Sequence, residues 1–163
     1  MKFDLKNINY RPHQRQDIVW RLKWLNDKNV NIFLSDDPKK ITTPEEQQKW
    51  FNEYEKNTNK KFFTILYQGA PIGFIGLSKI NLKTKSATLF IMIGEKKFHG
   101  KGIGTLASKF LIDYAFDKLK LNKINLEVNK QNIAAIILYQ SLDFKEDKNA
   151  SNKKEVVMFL SKM

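Results

Sequence analysis

The sequence predicts one mixed α/β domain spanning residues 1–163, a mixed sheet with helices on both faces. Three observations carry that reading. Apolar residues alternate with period two from Lys61 to Ile93, and from Ile103 they recur with the helical period. A further strand, a short helix and a closing hairpin then follow. A length of 163 residues with 42% hydrophobic side chains gives enough apolar surface for one core and too little chain for two full domains.

Taken in order, Phe3 to Tyr10 alternates weakly and predicts an opening strand. Asp17 is placed to cap a helix through Ile18, Val19, Leu22, Trp24 and Leu25, which Asn26-Asp27-Lys28-Asn29 breaks. Thr43, Pro44 and Glu46 form a stronger helix start, with the helix running to about Asn57. Phe62–Tyr67, Pro71–Asn81 and Ser86–Ile93 read as three antiparallel strands joined by tight turns. A glycine-rich turn leads into a helix whose residues 103, 106, 107, 110, 111 and 114 share one face. Lys123–Asn129 reads as a strand, Asn132–Leu142 as a helix, and Phe144–Lys148 with Glu155–Leu160 as a closing hairpin. The predicted order is β-α-α-β-β-β-α-β-α-β-β.

Composition removes much chemistry before any motif is read. There is no cysteine and there are two histidines, His13 and His99, far apart in sequence. Thiol nucleophiles, disulfides and zinc clusters therefore fall away, and no metal is expected. No stretch approaches the roughly 20 apolar residues of a membrane span, and Met1-Lys2-Phe3-Asp4-Leu5-Lys6 lacks the apolar core of a signal peptide. The cytoplasm is the expected location. Twenty-nine Lys and Arg against 17 Asp and Glu leave a formal charge of +12, which favours anionic partners. It counts against a polycationic substrate unless a local acidic pocket exists.

The sharpest local signal is the run from Ile93 to Thr105. A strand ends, Gly100, Gly102 and Gly104 follow at spacing two, and an amphipathic helix begins. Glycines allow close approach to backbone amides, and a helix N-terminus offers unpaired N–H groups to a phosphate or pyrophosphate. The run is neither a Walker A loop nor a dinucleotide fingerprint, because Thr105 stands where the latter needs glycine.

This turn resembles motif A of the GNAT N-acetyltransferase superfamily, Gln/Arg-x-x-Gly-x-Gly/Ala at a helix start, with His99 in the place of Gln or Arg. Asn132 to Phe144 is similar to a second signature of that family, Asn-x-x-Ala-x-x-x-Tyr-x-x-x-Gly-Phe, with Asp143 in the place of glycine. The resemblance covers nearly the whole chain. Trp20–Asn26 and Ile41–Phe51 look most like the branch of ribosomal-protein N-terminal and amino-sugar N-acetyltransferases.

The resemblance implies the GNAT-like acyl-CoA N-acyltransferase fold, with acetyl-CoA in a gap where the 86–93 and 123–129 strands part. Ile91 and Ile93 would hold the pantetheine arm. His99, Gly100, Lys101, Gly102, Ile103, Gly104 and Thr105 would hold the pyrophosphate, and Asn132 would bond the cofactor or cap its helix. Tyr139 takes the position of the general acid. Glu127, on the polar face of its strand with Asn125 and Asn129, is the candidate base, and Trp24, Asn26 and Asp36 are candidate acceptor contacts. The implied activity is acetyl transfer from acetyl-CoA by direct attack of a primary amine in a ternary complex. The expected acceptor is a nucleotide-linked amino sugar, a protein N-terminus or another small amine, and homodimer formation is open. Two other classes compete: a non-catalytic acyl-CoA-binding module, and a basic nucleic-acid-binding domain, which no recognition motif supports.

Overall fold

The computed structural model describes residues 2–34, 37 and 39–163. Seven strands form one sheet in the order β1-β2-β3-β4-β5-β7-β6, where β1 is Ile8–Pro12, β2 Lys61–Tyr67, β3 Ala70–Asn81, β4 Ser86–Ile93, β5 Lys123–Asn129, β6 Lys145–Glu146 and β7 Glu155–Ser161. Among the described residues only the β4–β5 pairing is parallel. Helices α1 (Ile18–Leu25), α2 (Lys28–Asn31) and α3 (Pro44–Lys56) precede β2, α4 (Ile103–Asp113) follows β4, and α5 (Ile133–Ser141) follows β5.

Period-two side chains split between two cores. Ile65, Ile75, Leu77, Leu89, Ile124 and Leu126 face α4 and α5 in the larger core, while Phe62, Phe74 and Met92 face Trp24 on the opposite side. Helices therefore cover both faces, as expected. α4 buries Ile103, Ala107, Ser108 and Leu111 against the sheet, and the helix ends in a π-helical turn, Tyr114–Lys118, that the sequence reading did not foresee. In the turn after α5, Asp143 adopts φ 69°, the left-handed conformation that a short polar side chain tolerates.

Some local expectations need correcting. The opening strand starts later, because the Asp4 side chain accepts from the Lys6 N–H and winds Leu5–Asn7 into a 3-10 turn. The break after α1 contains a further turn, α2, capped by Asp27. The closing hairpin has a first arm of two residues only. Asp17 precedes α1 without capping it.

Asp17 is instead the centre of a buried polar cluster that fastens α1 and α3 to the sheet. Both Arg11 guanidinium nitrogens donate to its carboxylate at 2.7 Å, the Gln14 N–H at 2.8 Å and the Thr64 hydroxyl at 2.8 Å. Since that hydroxyl proton goes to Asp17, Thr64 Oγ1 accepts from His13 Nδ1 at 2.8 Å. His13 Nε2 is then the acceptor facing Arg21, 3.5 Å away. Arg21 donates to Gln47 on α3 at 2.7 Å and lies 3.8 Å from the centre of the Trp50 ring, a cation–π contact in a desolvated setting.

Electrostatics in this cluster follows from burial and partners. Burial, reinforced by the Arg21 and Arg11 charges, pushes the His13 pKa down to about 3, so the ring is neutral at physiological pH. Burial alone would raise the Asp17 pKa, but the hydrogen bonds from Arg11, Gln14 and Thr64 outweigh it and hold the carboxylate below its usual range.

The unfolded chain therefore binds a proton at His13 between its free value near ~6.5 and about 3, where the native state does not. Stability from this site is full above pH ~6.5 and falls as pH drops through that window, and Asp17 adds a further loss below pH ~4. Thermal unfolding measured from pH 7 to pH 4.5 is expected to show a falling melting temperature. His13→Gln is expected to flatten that slope, and an equal slope in the variant would remove His13 as its source.

Candidate active site

The site begins with a failure of pairing. β4 and β5 match only at Ser86–Lys123, Ala87–Ile124 and Thr88–Asn125, after which β5 pairs with β7 alone to Asn129 and β4 continues beside β3 to Ile93. The strands part like a V. The Gly94 N–H donates to the Ile72 carbonyl at 2.7 Å, and antiparallel pairing alternates along the strand. Met92 and Phe90 therefore bond β3, while Ile91 and Ile93 aim their N–H and C=O groups at the open gap.

A cavity of about 560 Å³ occupies the gap, and Ile91, Ile93, His99, Gly100, Gly102 and Gly104 are among the residues that line it. At its wide end the turn into α4 takes φ +72° at Gly100 and φ +83° at Gly102. A Cβ built on Gly100 would meet nothing within 4 Å, so the backbone here is bare and a ligand can rest on it. The first intrahelical bond of this segment runs from the Leu106 N–H to the Gly102 carbonyl. The amides of Ile103, Gly104 and Thr105 thus have no helical partner and point at the cavity mouth, a site for an anion. This donor set fits a diphosphate, and the exposed strand edge fits an extended amide-bearing arm; together these are the demands of acetyl-CoA. Lys101 does not line this cavity, and its ammonium lies 5.5 Å from the centre of the Phe3 ring.

A second cavity, about 360 Å³, lies along the end of β5 and is lined by Glu127, Asn129, Glu155, Thr88, Ser78 and Lys79 among others. Ile91, Asn132, Ala135, Tyr139, Phe33 and Leu34 border both cavities. Tyr139 thus stands where the two meet. Its ring is 6% exposed, and burial raises its pKa well above the usual phenol value, which keeps the hydroxyl protonated. Asn132 caps α5 by accepting from the Ala135 N–H at 3.2 Å while bordering both cavities.

The three candidate acceptor contacts fare differently. Trp24 is 1% exposed in the smaller core and donates its indole N–H to Glu95 at 3.1 Å. Asn26 clamps the chain at Thr42, donating to its carbonyl at 3.0 Å and accepting from its N–H at 2.8 Å. Neither lines the two cavities, and Asp36 lies outside the described residues. The roof consists instead of Asn29, Val30, Ile32, Phe33 and Leu34, which the sequence reading passed over. It also missed Glu155. The signal was available in the alternation of β7, because Glu155 pairs with Asn129 and so shares a face with Glu127.

Among the described residues no group of three or more His, Asp or Glu side chains is arranged to hold a metal ion, and no helix is long and apolar enough to cross a membrane. Gly102 has nothing closer than the Leu5 side chain at 3.9 Å, so the effect of a side chain there is conformational and on the ligand rather than on packing. Gly102→Val is expected to abolish the rise in melting temperature that acetyl-CoA causes by binding the folded state. Gly69→Val, at a left-handed glycine of φ +82° outside the cavity lining, is expected to lower stability and keep the rise. A ligand-induced shift retained in Gly102→Val would reduce the turn to a structural role.

Comparison with known proteins agrees with this geometry. Residues 7–145 match the acetyltransferase (GNAT) domain family. The chain is 30% identical to the acetyltransferase PseH of Campylobacter jejuni over 86% of this chain and 84% of that protein. It is 28% identical to spermidine N(1)-acetyltransferase of Escherichia coli K12 over 85% and 73% of the two chains. In fold it resembles spermidine N-acetyltransferase from Vibrio cholerae, solved in complex with CoA and spermine, with a TM-score of 0.86, 24% identity and 96% coverage of both chains. Diverging strands, bare glycine turn and matched domain lead to one conclusion: the chain belongs to the GNAT acetyltransferase family and is an acetyl-CoA-dependent N-acetyltransferase.

Proposed function

We propose that a primary amine enters the Glu127 cavity and attacks the acetyl group directly, with Tyr139 as general acid and Glu127 as general base. The observation that supports this most is the position of Tyr139 on the border shared by the two cavities. Acetyl-CoA supplies a thioester that an amine can attack without a covalent enzyme intermediate. The chain's own groups do the rest. An N–H of the parted strand, at Ile93 or Ile91, donates to the carbonyl oxygen as negative charge grows there. Glu127 accepts the proton that an ammonium must lose before attack. Tyr139, kept neutral by burial, donates to the departing sulfur.

For the acceptor, the sequence reading favours a nucleotide-linked amino sugar or a protein N-terminus, and the net charge of +12 suits an anionic nucleotide tail. The cavity itself holds two carboxylates, Glu127 and Glu155, beside one ammonium, Lys79. That meets the proviso of a local acidic pocket and brings cationic amines within the range, in keeping with the spermidine acetyltransferases among the relatives. The cytoplasm remains the expected location.

Thiol release from acetyl-CoA, screened against amino sugars, peptides and polyamines, tests the reaction class, and silence across all three groups would overturn it. Tyr139→Phe keeps the ring and loses only the hydroxyl. Its single-turnover rate is expected to fall by roughly 10²-fold, with coenzyme A affinity unchanged. An unaltered chemical step would remove Tyr139 from the mechanism. Glu127→Gln is expected to shift the rate–pH profile toward higher pH, because only amine already deprotonated in solution would then react. A superimposable profile would assign proton removal elsewhere.

A further inference from the structure

We propose that His99 is a positioning residue for the cofactor cleft, its imidazole locking the glycine turn onto the end of β4 through the Ile93 carbonyl. His99 Nε2 lies 2.8 Å from that oxygen, and since a carbonyl only accepts, Nε2 carries the proton and donates. The proposal rests on reading the larger cavity as the acetyl-CoA cleft.

The chain between the strand and α4 is anchored unevenly. Its start is fixed by the N–H groups of Gly94 and Glu95, both on the Ile72 carbonyl at 2.7 and 3.3 Å, and by Glu95 holding Lys23 and Trp24 of α1. Its middle is a 3-10 turn closed by Phe98 N–H to Glu95 and His99 N–H to Lys96. After His99 these restraints stop. Gly100 has open space on its Cα and a left-handed φ, so no side-chain packing orients its peptides. The His99–Ile93 bond spans six residues and ties this last stretch back to the strand. It thereby fixes the direction in which the amides from Gly100 to Thr105 emerge.

The same bond edits the strand edge. Ile93 offers its carbonyl to the gap, and a bare acceptor there would let an extended ligand pair beyond the end of β4. With His99 on that oxygen, the N–H and C=O of Ile91 and the N–H of Ile93 are the groups left to pair. The register of an extended arm is then set by the protein before the ligand arrives, which lowers the ordering cost of binding.

The experiment uses coenzyme A as the probe, with calorimetric affinity measured for the unaltered protein, His99→Phe and His99→Gln. Phenylalanine keeps a ring without a donor; glutamine keeps an N–H of similar reach. His99→Phe is expected to raise the Kd about 10-fold, because the competent turn is then a minor state, and His99→Gln to stay within about 3-fold of the parent. The ligand-free melting temperatures of both variants are expected to match the parent, since His99 is exposed. Parent-like affinity in His99→Phe, or equal weakening in both variants, would overturn the positioning role while leaving the cleft intact. No binding by the unaltered protein would overturn the cleft reading and the role of His99 together.

Discussion

The central cleft of this molecule depends on two neighbouring strands being parallel and then ceasing to pair. A parallel pair needs a crossover connection, and here α4 supplies it, so a helix N-terminus arrives beside the point where the ladder opens. The parted strand exposes backbone donors and acceptors that a sheet normally satisfies. Such groups are costly when buried dry, and the cleft keeps them on a cavity wall where solvent or a ligand can reach them. The unpaired edge is thus tolerated because it lines an open cavity rather than a dry core. Its length is limited at one end by the last β4–β5 pair and at the other by the glycine turn.

The opposite face of the sheet solves a different problem. α1 and α3 meet the strands through a small aromatic core, with the His13 imidazole and the Arg21 guanidinium among its rings and the Asp17 carboxylate and Arg11 beside them. Removing any one member would leave the others short of partners, so the arrangement behaves as a unit. Thr64 is the joint: its hydroxyl both accepts from His13 and donates to Asp17, which fixes the tautomer of the ring. Because α1 is held at a defined height above the sheet, α2 and residues 32–34 reach over the larger cavity from that support, and Phe33 and Leu34 border both cavities.

The sequence was informative wherever a pattern repeats or a motif carries its own geometry. The strands from β2 to β5, the helix after the glycine turn, the left-handed Asp143 and the glycine turn that borders the larger cavity were legible, since periodicity and two spaced motifs determine them. What escaped notice depends on contacts between elements distant in sequence. Asp17 looks like a helix cap because capping is local, yet its partners Arg11 and Thr64 come from β1 and β2. Trp24 lies on α1, just before the segment that covers the larger cavity, and its indole turns inward to Glu95 and Gly94. Alternation along β7 marks Glu155 as belonging to a polar face, but only the register of β7 against β5, which sets it opposite Asn129, places that face beside Glu127. The roof residues Phe33 and Leu34 follow a turn with no periodic signature at all.

The packing of Gly94 on Trp24 has a consequence for how this sequence can change. A Cβ at position 94 would fall inside the indole ring, and the ring cannot retreat, being 1% exposed with its N–H bonded to Glu95. Positions 24 and 94, seventy residues apart, are therefore one unit of substitution: a side chain at 94 requires a smaller residue at 24. The two changes made singly would each damage the protein, and made together they would partly cancel. Drift at this locus must proceed by paired steps.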